Sequence, residues 1–168
     1  VHDQNVSPRI IANYGSEELK RRLIPQFISG KAECSIAWTE PQAGSDATAI
    51  TTSAVRDGDD YIVNGQKIFT TFGDRAAMHL VYARFGSSKG AKGIGTIIVE
   101  RNRPGVTVHS LEGKMGARGA NENEMFFDSV RVPASNVVTL GDPTSSKGFV
   151  QPLTIYNATR VGMGVLAL

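Results

Sequence analysis

The chain has 168 residues, 40% of them hydrophobic and 20% charged, and 18 basic against 16 acidic residues leave a net charge of +2. This composition is typical of an ordinary folded protein and excludes a disordered or collagen-like chain. Because the charges are interspersed, no basic surface for nucleic acid is indicated, and we expect no nucleic-acid partner.

Two helices are predicted at the start of the chain. The Ser-Pro pair at 7–8 is typical of a helix start and Gly15 of a helix end, which predicts a helix over 8–14. Ser16 can cap a second helix that ends at Gly30. The apolar side of this second helix is expected to contain Leu19, Leu23, Phe27 and Ile28.

From Ala32 the hydrophobic pattern changes to that of β-strands. Asp57-Gly58 and Asn64-Gly65 are typical tight-turn dipeptides, so we expect consecutive strands to pair antiparallel. Many short strands with regular turns predict a mainly β fold, an antiparallel β-sandwich or open barrel flanked by α-helices at both ends. The predicted strands are 34–39, 49–56, 61–64, 67–72, 78–85, 94–100, 106–111, 125–132 and 136–139.

The last predicted element is a helix from Gly148 to Leu168, although Gly162 and Gly164 each cost about 1 kcal/mol relative to alanine within a helix. Since the sequence begins at Val1 rather than at methionine and stops within a helical pattern, we expect it to be a piece of a longer protein. It contains no signal-peptide pattern and no apolar run of the about 20 residues that a transmembrane helix needs. We expect a cytoplasmic location, or the mitochondrial matrix if the protein is eukaryotic.

Little in the chain is suited to metal or disulfide chemistry. Its 1 cysteine, Cys34, lies in an apolar run and is expected to be a buried, unreactive thiol. Its 3 histidines show no spacing typical of metal ligands, so we expect no metal site.

The stretch AWTEPQAGSD, residues 37–46, is the first candidate site. Pro41 cannot continue a central strand, so the chain turns there. Gly44 allows backbone amides to approach a ligand, and Ser45 and Asp46 are free to cap the next element of the chain. Such a loop suits the polar rim or the phosphate of a cofactor, although a strand followed by a capped turn explains the same residues.

The stretch DGDDYIVNGQKIFTTFG, residues 57–73, is the second candidate. Strand alternation places Phe69 and Thr71 on one face, so that a flat aromatic ring lies beside a hydroxyl. A core phenylalanine next to threonines that favour strands is the alternative explanation.

The two stretches belong to a set of motifs that follow one another along the chain. They are TEPQAGSD at 39–46, DGDDYIVNGQKIFTT at 57–71, KMGARG at 114–119, FFDSVRVPASNV at 126–137 and TR at 159–160. Their order and spacing resemble those of the acyl-CoA dehydrogenase family over residues 15–168. The resemblance implies that residues 1–30 end an N-terminal helical domain, 31–142 form a middle β-domain, and 143–168 start a C-terminal helical domain.

The resemblance implies FAD as the cofactor. In the family, the segment that matches 36–45 lies along the flavin, with Thr39 at the pyrimidine edge and Ser45 at the CoA or the cofactor phosphates. Phe69 stands where the family has a stacking tryptophan, and Thr71 matches a threonine that hydrogen-bonds near N5. The implied FAD-binding residues are Ile36, Trp38, Thr39, Gly44, Ser45, Phe69, Thr70 and Thr71.

The residues that the resemblance implies for acyl-CoA are Ser45, Tyr156, Asn157 and Arg160. Arg160 matches an arginine of the family at the substrate end, whereas Asn157 replaces the aspartate of many members. Trp38 and Gln42 also depart from the family, which has smaller residues in that loop.

The implied reaction is the α,β-dehydrogenation of an acyl-CoA thioester in fatty-acid β-oxidation. A carboxylate removes the α-proton while the β-hydride passes to flavin N5, and an electron-transferring flavoprotein or a similar protein accepts the electrons from an enzyme that is a homo-oligomer at full length. A flavin monooxygenase or an acyl-CoA oxidase on the same fold is an alternative, because flavin contacts do not decide the fate of the reduced flavin. An alternative of another class is a non-enzymatic β-barrel binding module.

No catalytic residue is expected within the chain. Some family members carry the catalytic base at the position of Thr159, which cannot serve as a base. The resemblance places Glu40 away from the substrate α-carbon. We interpret Glu33, Glu122 and Glu124 as solvated surface carboxylates.

Overall fold

A computed structural model describes the chain from residue 6 to residue 166, and its side chains as far as Arg160. The prediction of a mainly β fold with helices at both ends is confirmed. The elements are α1 (Val6–Tyr14), α2 (Glu17–Ile28), β1 (Cys34–Ala37), β2 (Ser53–Asp57), β3 (Asp60–Thr71), β4 (Met78–Arg84), β5 (Ile94–Glu100), β6 (Val106–Leu111), β7 (Glu122–Pro133), a 3₁₀ turn (Ala134–Asn136), β8 (Val137–Thr139) and α3 (Lys147–Leu166).

The strands form one 8-stranded sheet in the order β6-β7-β3-β2-β4-β5-β8, and β1 pairs with β4 outside this order. Most pairs are antiparallel, as the turn signals predicted. The β1–β4 pair and the short β2–β4 contact are parallel, so the sheet is mixed. A parallel neighbour needs a long connection rather than a hairpin, and no local sequence signal marks it.

The predicted tight turn at Asn64-Gly65 is wrong, because β3 runs through it without interruption. The side chain of Asn64 accepts a hydrogen bond of 2.8 Å from the backbone N–H of Ser129, at an irregular position where β3 and β7 change register. Gly65 has a φ of 149°, and a Cβ there would lie 2.4 Å from the hydroxyl of Thr52. The Asn-Gly pair therefore accommodates a β-bulge and a close approach between neighbouring segments.

The strand predicted over 49–56 begins only at Ser53. The backbone N–H groups of Thr51 and Thr52 are bound at 2.6 and 3.0 Å by the carboxylate of Glu40 instead of by a neighbouring strand. The strand predicted over 34–39 likewise ends at Ala37. Both differences arise at the loop that comes after β1.

The hydrophobic core has two parts, one on each face of β4 and β5. Leu80 and Tyr82 pack against side chains of the three helices, whereas Val81 and Ala83 pack against residues of β3 and β7. Because opposite ends of the sheet share this second cluster, the sheet curls onto itself as in an open barrel.

The helices largely match their predictions. Ser16 caps α2 by accepting a hydrogen bond from the Leu19 N–H. On the predicted apolar side of α2, Leu19 and Leu23 are buried, but Ile28 is 83% exposed. The predicted end of the last helix at Leu168 lies outside the described residues. Among residues 6–166, no helix combines the length and apolar character needed to span a membrane.

Candidate functional site

A cleft of about 270 Å³ lies where β1, the end of β3 and α3 approach one another. Small-molecule sites in proteins start at about 300 Å³, so this cleft is large enough for one end of a bigger ligand. Its walls combine aromatic rings, aliphatic groups, hydroxyls and carboxylates. The lining residues are Glu33, Cys34, Ser35, Ile36, Trp38, Thr39, Phe69, Thr71, Phe72, Ala76, Glu122 and Tyr156.

A bulge in β3 turns Phe69 towards the cleft. The pairing of β3 with β7 changes register between Lys67 and Thr70, which leaves an extra residue in β3. Phe69 has a φ of 57°, in the left-handed region that residues other than glycine rarely adopt. Its side chain is 63% exposed. Such a backbone costs about 1–3 kcal/mol and is concentrated at functional sites, which marks Phe69 as a candidate ligand contact.

The bulge also separates the two threonines that come after it. Thr71 lines the cleft, and its hydroxyl donates to the two carboxylate oxygens of Glu122 at 3.1 and 3.2 Å. Thr70 is buried away from the cleft. Its hydroxyl has no hydrogen-bond partner within the described part of the chain.

A buried ion pair joins the loop after β1 to β3. The ammonium of Lys67 lies 2.8 Å from a carboxylate oxygen of Glu40, and the two side chains are 0% and 1% exposed. The same ammonium donates a hydrogen bond of 2.9 Å to the carbonyl of Trp38. A backbone bond of 2.9 Å from the Ile68 N–H to the Thr39 carbonyl links the same two segments. These bonds fix Thr39 relative to the bulge.

Both members of this pair are charged at neutral pH. Burial alone would raise the pKa of Glu40, but the Lys67 ammonium and the hydrogen bonds from Thr51 and Thr52 outweigh it and hold that pKa at about 2. Burial lowers the pKa of Lys67 to about 8 against the opposing effect of Glu40. An enclosed carboxylate with such a low pKa is a poor proton acceptor, so Glu40 is unsuited to be a general base.

Four aromatic rings connect the cleft to α3. The ring of Trp38 stacks on Tyr82 at 4.3 Å between centroids, with 6° between the planes. Phe149 and Tyr156 of α3 meet Trp38 edge-on at 5.8 and 5.5 Å. Offset and edge-on aromatic pairs each contribute about 0.5–1.5 kcal/mol beyond their buried area. The cluster thereby holds Tyr156 at the edge of the cleft.

The structure brings together most, but not all, of the residues predicted for binding. Ile36, Trp38, Thr39, Phe69, Thr71 and Tyr156 line one cleft. Gly44 and Ser45 are exposed in the loop beyond it, and Asn157 is exposed on α3. Arg160 is also exposed and lies with its guanidinium 6.0 Å from the ring centre of Tyr156. Thr70 does not line the cleft.

Two carboxylates at the cleft were missed by the sequence interpretation. Glu33 and Glu122, interpreted as solvated surface groups, both line the cleft and are only partly exposed. Glu33 is bound by the guanidinium of Arg75 at 2.7 and 3.0 Å. Glu122 stands directly opposite Thr71 in the β3–β7 pairing. That register depends on two bulges, and no sequence signal predicted it.

Two buried titratable groups near the cleft, Cys34 and His79, are neutral. Burial raises the pKa of the Cys34 thiol to about 12, which confirms the predicted buried thiol and keeps it protonated. Burial lowers the pKa of His79 to about 3, and its Nδ1 lies 2.7 Å from the Ser35 hydroxyl. Within the residues that the structure describes, no group of three or more side chains is arranged to hold a metal ion.

Comparison with known proteins places this cleft in a recognised domain. The family described as acyl-CoA dehydrogenase, middle domain, matches residues 35–130, more than half of the chain. The acryloyl-CoA reductase (NADH) of Anaerotignum propionicum is 37% identical over 165 residues, which are 97% of this chain and 41% of that protein. The cyclohex-1-ene-1-carbonyl-CoA dehydrogenase of Geobacter metallireducens is 45% identical over 153 residues, 90% of this chain and 39% of that protein.

Solved structures give the same result. The crystal structure of a glutaryl-CoA dehydrogenase from Mycobacterium smegmatis in complex with FADH2 has a TM-score of 0.85 and 33% sequence identity, over 96% of this chain and 40% of that one. The chain therefore spans about two fifths of the length of the proteins it matches.

Proposed function

Since the chain belongs to the acyl-CoA dehydrogenase family, we propose that it is part of an enzyme that binds FAD and oxidises an acyl-CoA thioester between its α- and β-carbons. The observation that carries the proposal is the cleft wall formed by Phe69 and Thr71. An exposed aromatic ring on a left-handed backbone stands there beside a hydroxyl that is held in place.

The residues of the cleft fit a planar ring system with a polar edge. Phe69 offers an aromatic face, and Ile36 adds an apolar wall. The hydroxyls of Thr39 and Thr71 and nearby backbone groups can satisfy the heteroatoms of such a ring. Aromatic and aliphatic walls with a few placed polar groups are the usual composition of a cofactor site.

When bound, FAD supplies the redox chemistry by accepting a hydride from the β-carbon of the substrate. The chain contributes orientation. We propose that Phe69 stacks on the flavin, that Thr71 hydrogen-bonds near N5, and that Thr39 meets the pyrimidine edge. Hydrogen-bonding groups that are held in place stabilise charge where it develops, and the Glu40–Lys67 pair keeps Thr39 in place.

The acyl-CoA would lie between this wall and α3. Tyr156 is held at the cleft by Trp38, and the exposed Arg160 provides a cation for the CoA part. Ser45 and Asn157 would contact the outer parts of FAD and acyl-CoA, and Gly44 would contact FAD. Thr70 would support β3 from its buried side.

The general base is proposed to lie outside this chain. The carboxylate of Glu40 is held in an ion pair with Lys67, and Glu40 does not line the cleft. Glu122 pairs with Thr71 on the wall proposed for the flavin, whereas the base must approach the substrate from the opposite face. Glu33 is bound in two hydrogen bonds by Arg75.

The test is the absorbance spectrum of the full-length protein before and after mixing with a panel of acyl-CoAs in the absence of oxygen. We expect a yellow protein whose flavin is bleached by at least one straight-chain, branched or cyclic acyl-CoA, and the best substrate decides whether the role is in fatty-acid β-oxidation. A colourless protein would refute the proposal and favour a non-enzymatic binding module.

The acceptor that takes electrons from the reduced flavin distinguishes a dehydrogenase from an oxidase or a monooxygenase. We propose an electron-transferring flavoprotein or a similar protein as acceptor, a homo-oligomeric enzyme, and a cytoplasmic or mitochondrial-matrix location. Consumption of oxygen during turnover would identify an oxidase or a monooxygenase instead. Flavin reduction by NADH would indicate the reverse reaction named for the Anaerotignum relative.

A further inference from the structure

Trp38 is the lining residue that connects the cleft to the aromatic cluster on α3. One face of its ring stacks on Tyr82 of β4 at 4.3 Å between centroids, with 6° between the planes. Phe149 and Tyr156 of α3 meet the same ring edge-on at 5.8 and 5.5 Å. A single side chain therefore bridges the space between the sheet and α3.

The indole closes the cleft on the side of this cluster. Trp38 lines the cleft and is partly exposed, whereas Tyr82 and Phe149 are 0% and 6% exposed and do not line it. Because protein interiors are packed as densely as organic crystals, a ligand cannot pass the indole unless the ring is displaced. The contacts with three other rings oppose such a displacement.

The indole contributes its size rather than a hydrogen bond. The Nε1–H group of Trp38 is buried and has no hydrogen-bond partner among the residues that the structure describes. A buried tryptophan N–H usually finds a partner, and one that does not is destabilising. A phenylalanine ring could stack on Tyr82 without this cost. The space that the larger ring fills at the cleft explains its presence.

We propose that Trp38 determines substrate specificity by limiting the acyl group to short chains. The acyl-CoA is proposed to lie between the wall of Phe69 and Thr71 and α3, so an acyl chain that extends along α3 meets the indole. The inference rests on the proposed function, because it requires an acyl-CoA in this cleft. It narrows the substrate class to short-chain acyl-CoAs.

The test measures binding of acyl-CoA analogues to the FAD-loaded full-length protein by equilibrium dialysis. Analogues of butyryl-, octanoyl- and palmitoyl-CoA in which sulfur replaces the β-carbon cannot be dehydrogenated, so their dissociation constants report binding alone. We expect the wild type to bind the butyryl analogue more tightly than the palmitoyl analogue. A wild type with the opposite preference would overturn the inference.

Trp38→Leu replaces the indole by a smaller apolar side chain. One methylene group that a hydrophobic pocket accepts or rejects changes specificity by about 10–200-fold. We therefore expect the variant to bind the palmitoyl analogue at least about tenfold more tightly than the wild type does, with a smaller change for the butyryl analogue. The kcat/KM values for the matching acyl-CoA substrates should shift in the same direction.

Phe149→Leu is the matched control. It removes another ring of the same cluster, in contact with Trp38 but not part of the cleft lining. Its preference among the three analogues should match that of the wild type. If Trp38→Leu does not fold or releases FAD, the same measurement on Trp38→Phe decides the question. That variant keeps a ring against Tyr82, and its smaller ring should shift the preference in the same direction.

The proposed function and the role of Trp38 fail in different ways. A full-length protein that binds no FAD, or whose flavin is bleached by no acyl-CoA, overturns the proposed function and this inference with it. A protein that is bleached by acyl-CoA, but has the same chain-length preference with and without the indole, overturns this inference alone. An equal shift in Phe149→Leu also overturns it, because the cause would then be a loosened cluster rather than an opened cleft.

Discussion

Replacement of Lys67 by methionine tests how strongly the buried ion pair holds the two walls of the cleft together. Lys67→Met keeps an unbranched apolar side chain and removes the ammonium. Glu40 is only 2% exposed, so its carboxylate is then buried without the Lys67 ammonium beside it. It keeps the hydrogen bonds from the N–H groups of Thr51 and Thr52, which compensate only part of the lost attraction.

The expected loss can be bounded from the structure. At the observed 2.8 Å and an effective dielectric constant of about 20, Coulomb's law gives about 6 kcal/mol for the pair. The stranded carboxylate limits the loss by taking up a proton, and buried pairs that lose one partner are destabilised by about 3–5 kcal/mol. For a chain of this size, that range corresponds to a fall in Tm of roughly 6–20 °C.

Thermal unfolding followed by circular dichroism measures the effect. Arg131→Met is the matched control, since it removes a cation that lies 2.5 and 3.0 Å from Asp57 and Asp60, but in a side chain that is 56% exposed. Exposed pairs contribute at most about 1 kcal/mol, so the Tm of the control should change little. The double variant Glu40→Gln/Lys67→Met leaves no buried charge and should unfold at a higher temperature than Lys67→Met. Equal falls in Tm for Lys67→Met and Arg131→Met would refute the reasoning.

Three further predictions concern the same region. The pKa of Glu40 is held at about 2, against an ordinary value of 4.5, so the stability it contributes is complete above pH 4.5 and is lost as the pH falls through 2. Acid titration of the unfolding free energy should show about 3 kcal/mol from this group, and the Glu40→Gln variant should lack it. Thr71→Val in the FAD-loaded full-length protein should weaken flavin retention or slow flavin reduction by about 1–3 kcal/mol, and normal values for both in stopped-flow bleaching would remove Thr71 from the site. Trp38→Leu removes the stacking on Tyr82 and should destabilise the protein by less than the about 3–5 kcal/mol typical of truncating a buried tryptophan to alanine. It should also speed hydrogen exchange over residues 149–160, and unchanged exchange there would contradict the role given to the aromatic cluster.

Local patterns in the sequence were sufficient for most of the secondary structure. Ser16 could be identified as a helix cap because capping involves residues within one turn of each other. The alternation of β4 and β5 and the Asp57-Gly58 turn are equally local, so these strands were predicted to within a residue or two. The family was evident from ordered motifs, and the comparison with known proteins confirmed it.

The tertiary structure decided the features that depend on distant partners. Asn64-Gly65 is typical of a turn by itself, but here it lies within β3, opposite a bulge in β7 at Asp128 and Ser129. The burial of Glu40 could not be predicted because its partner, Lys67, is 27 residues away.

Some residues of the site could likewise be identified from local sequence, whereas others depend on the tertiary structure. Phe69 and Thr71 were placed on one face by strand alternation and by the resemblance, and both line the cleft. Glu122 was interpreted as a surface carboxylate because nothing in its own segment directs it towards the substrate, yet the β3–β7 register sets it against Thr71. The periodicity of a strand determines which residues share a face, whereas the register between strands is a property of the whole sheet and its bulges.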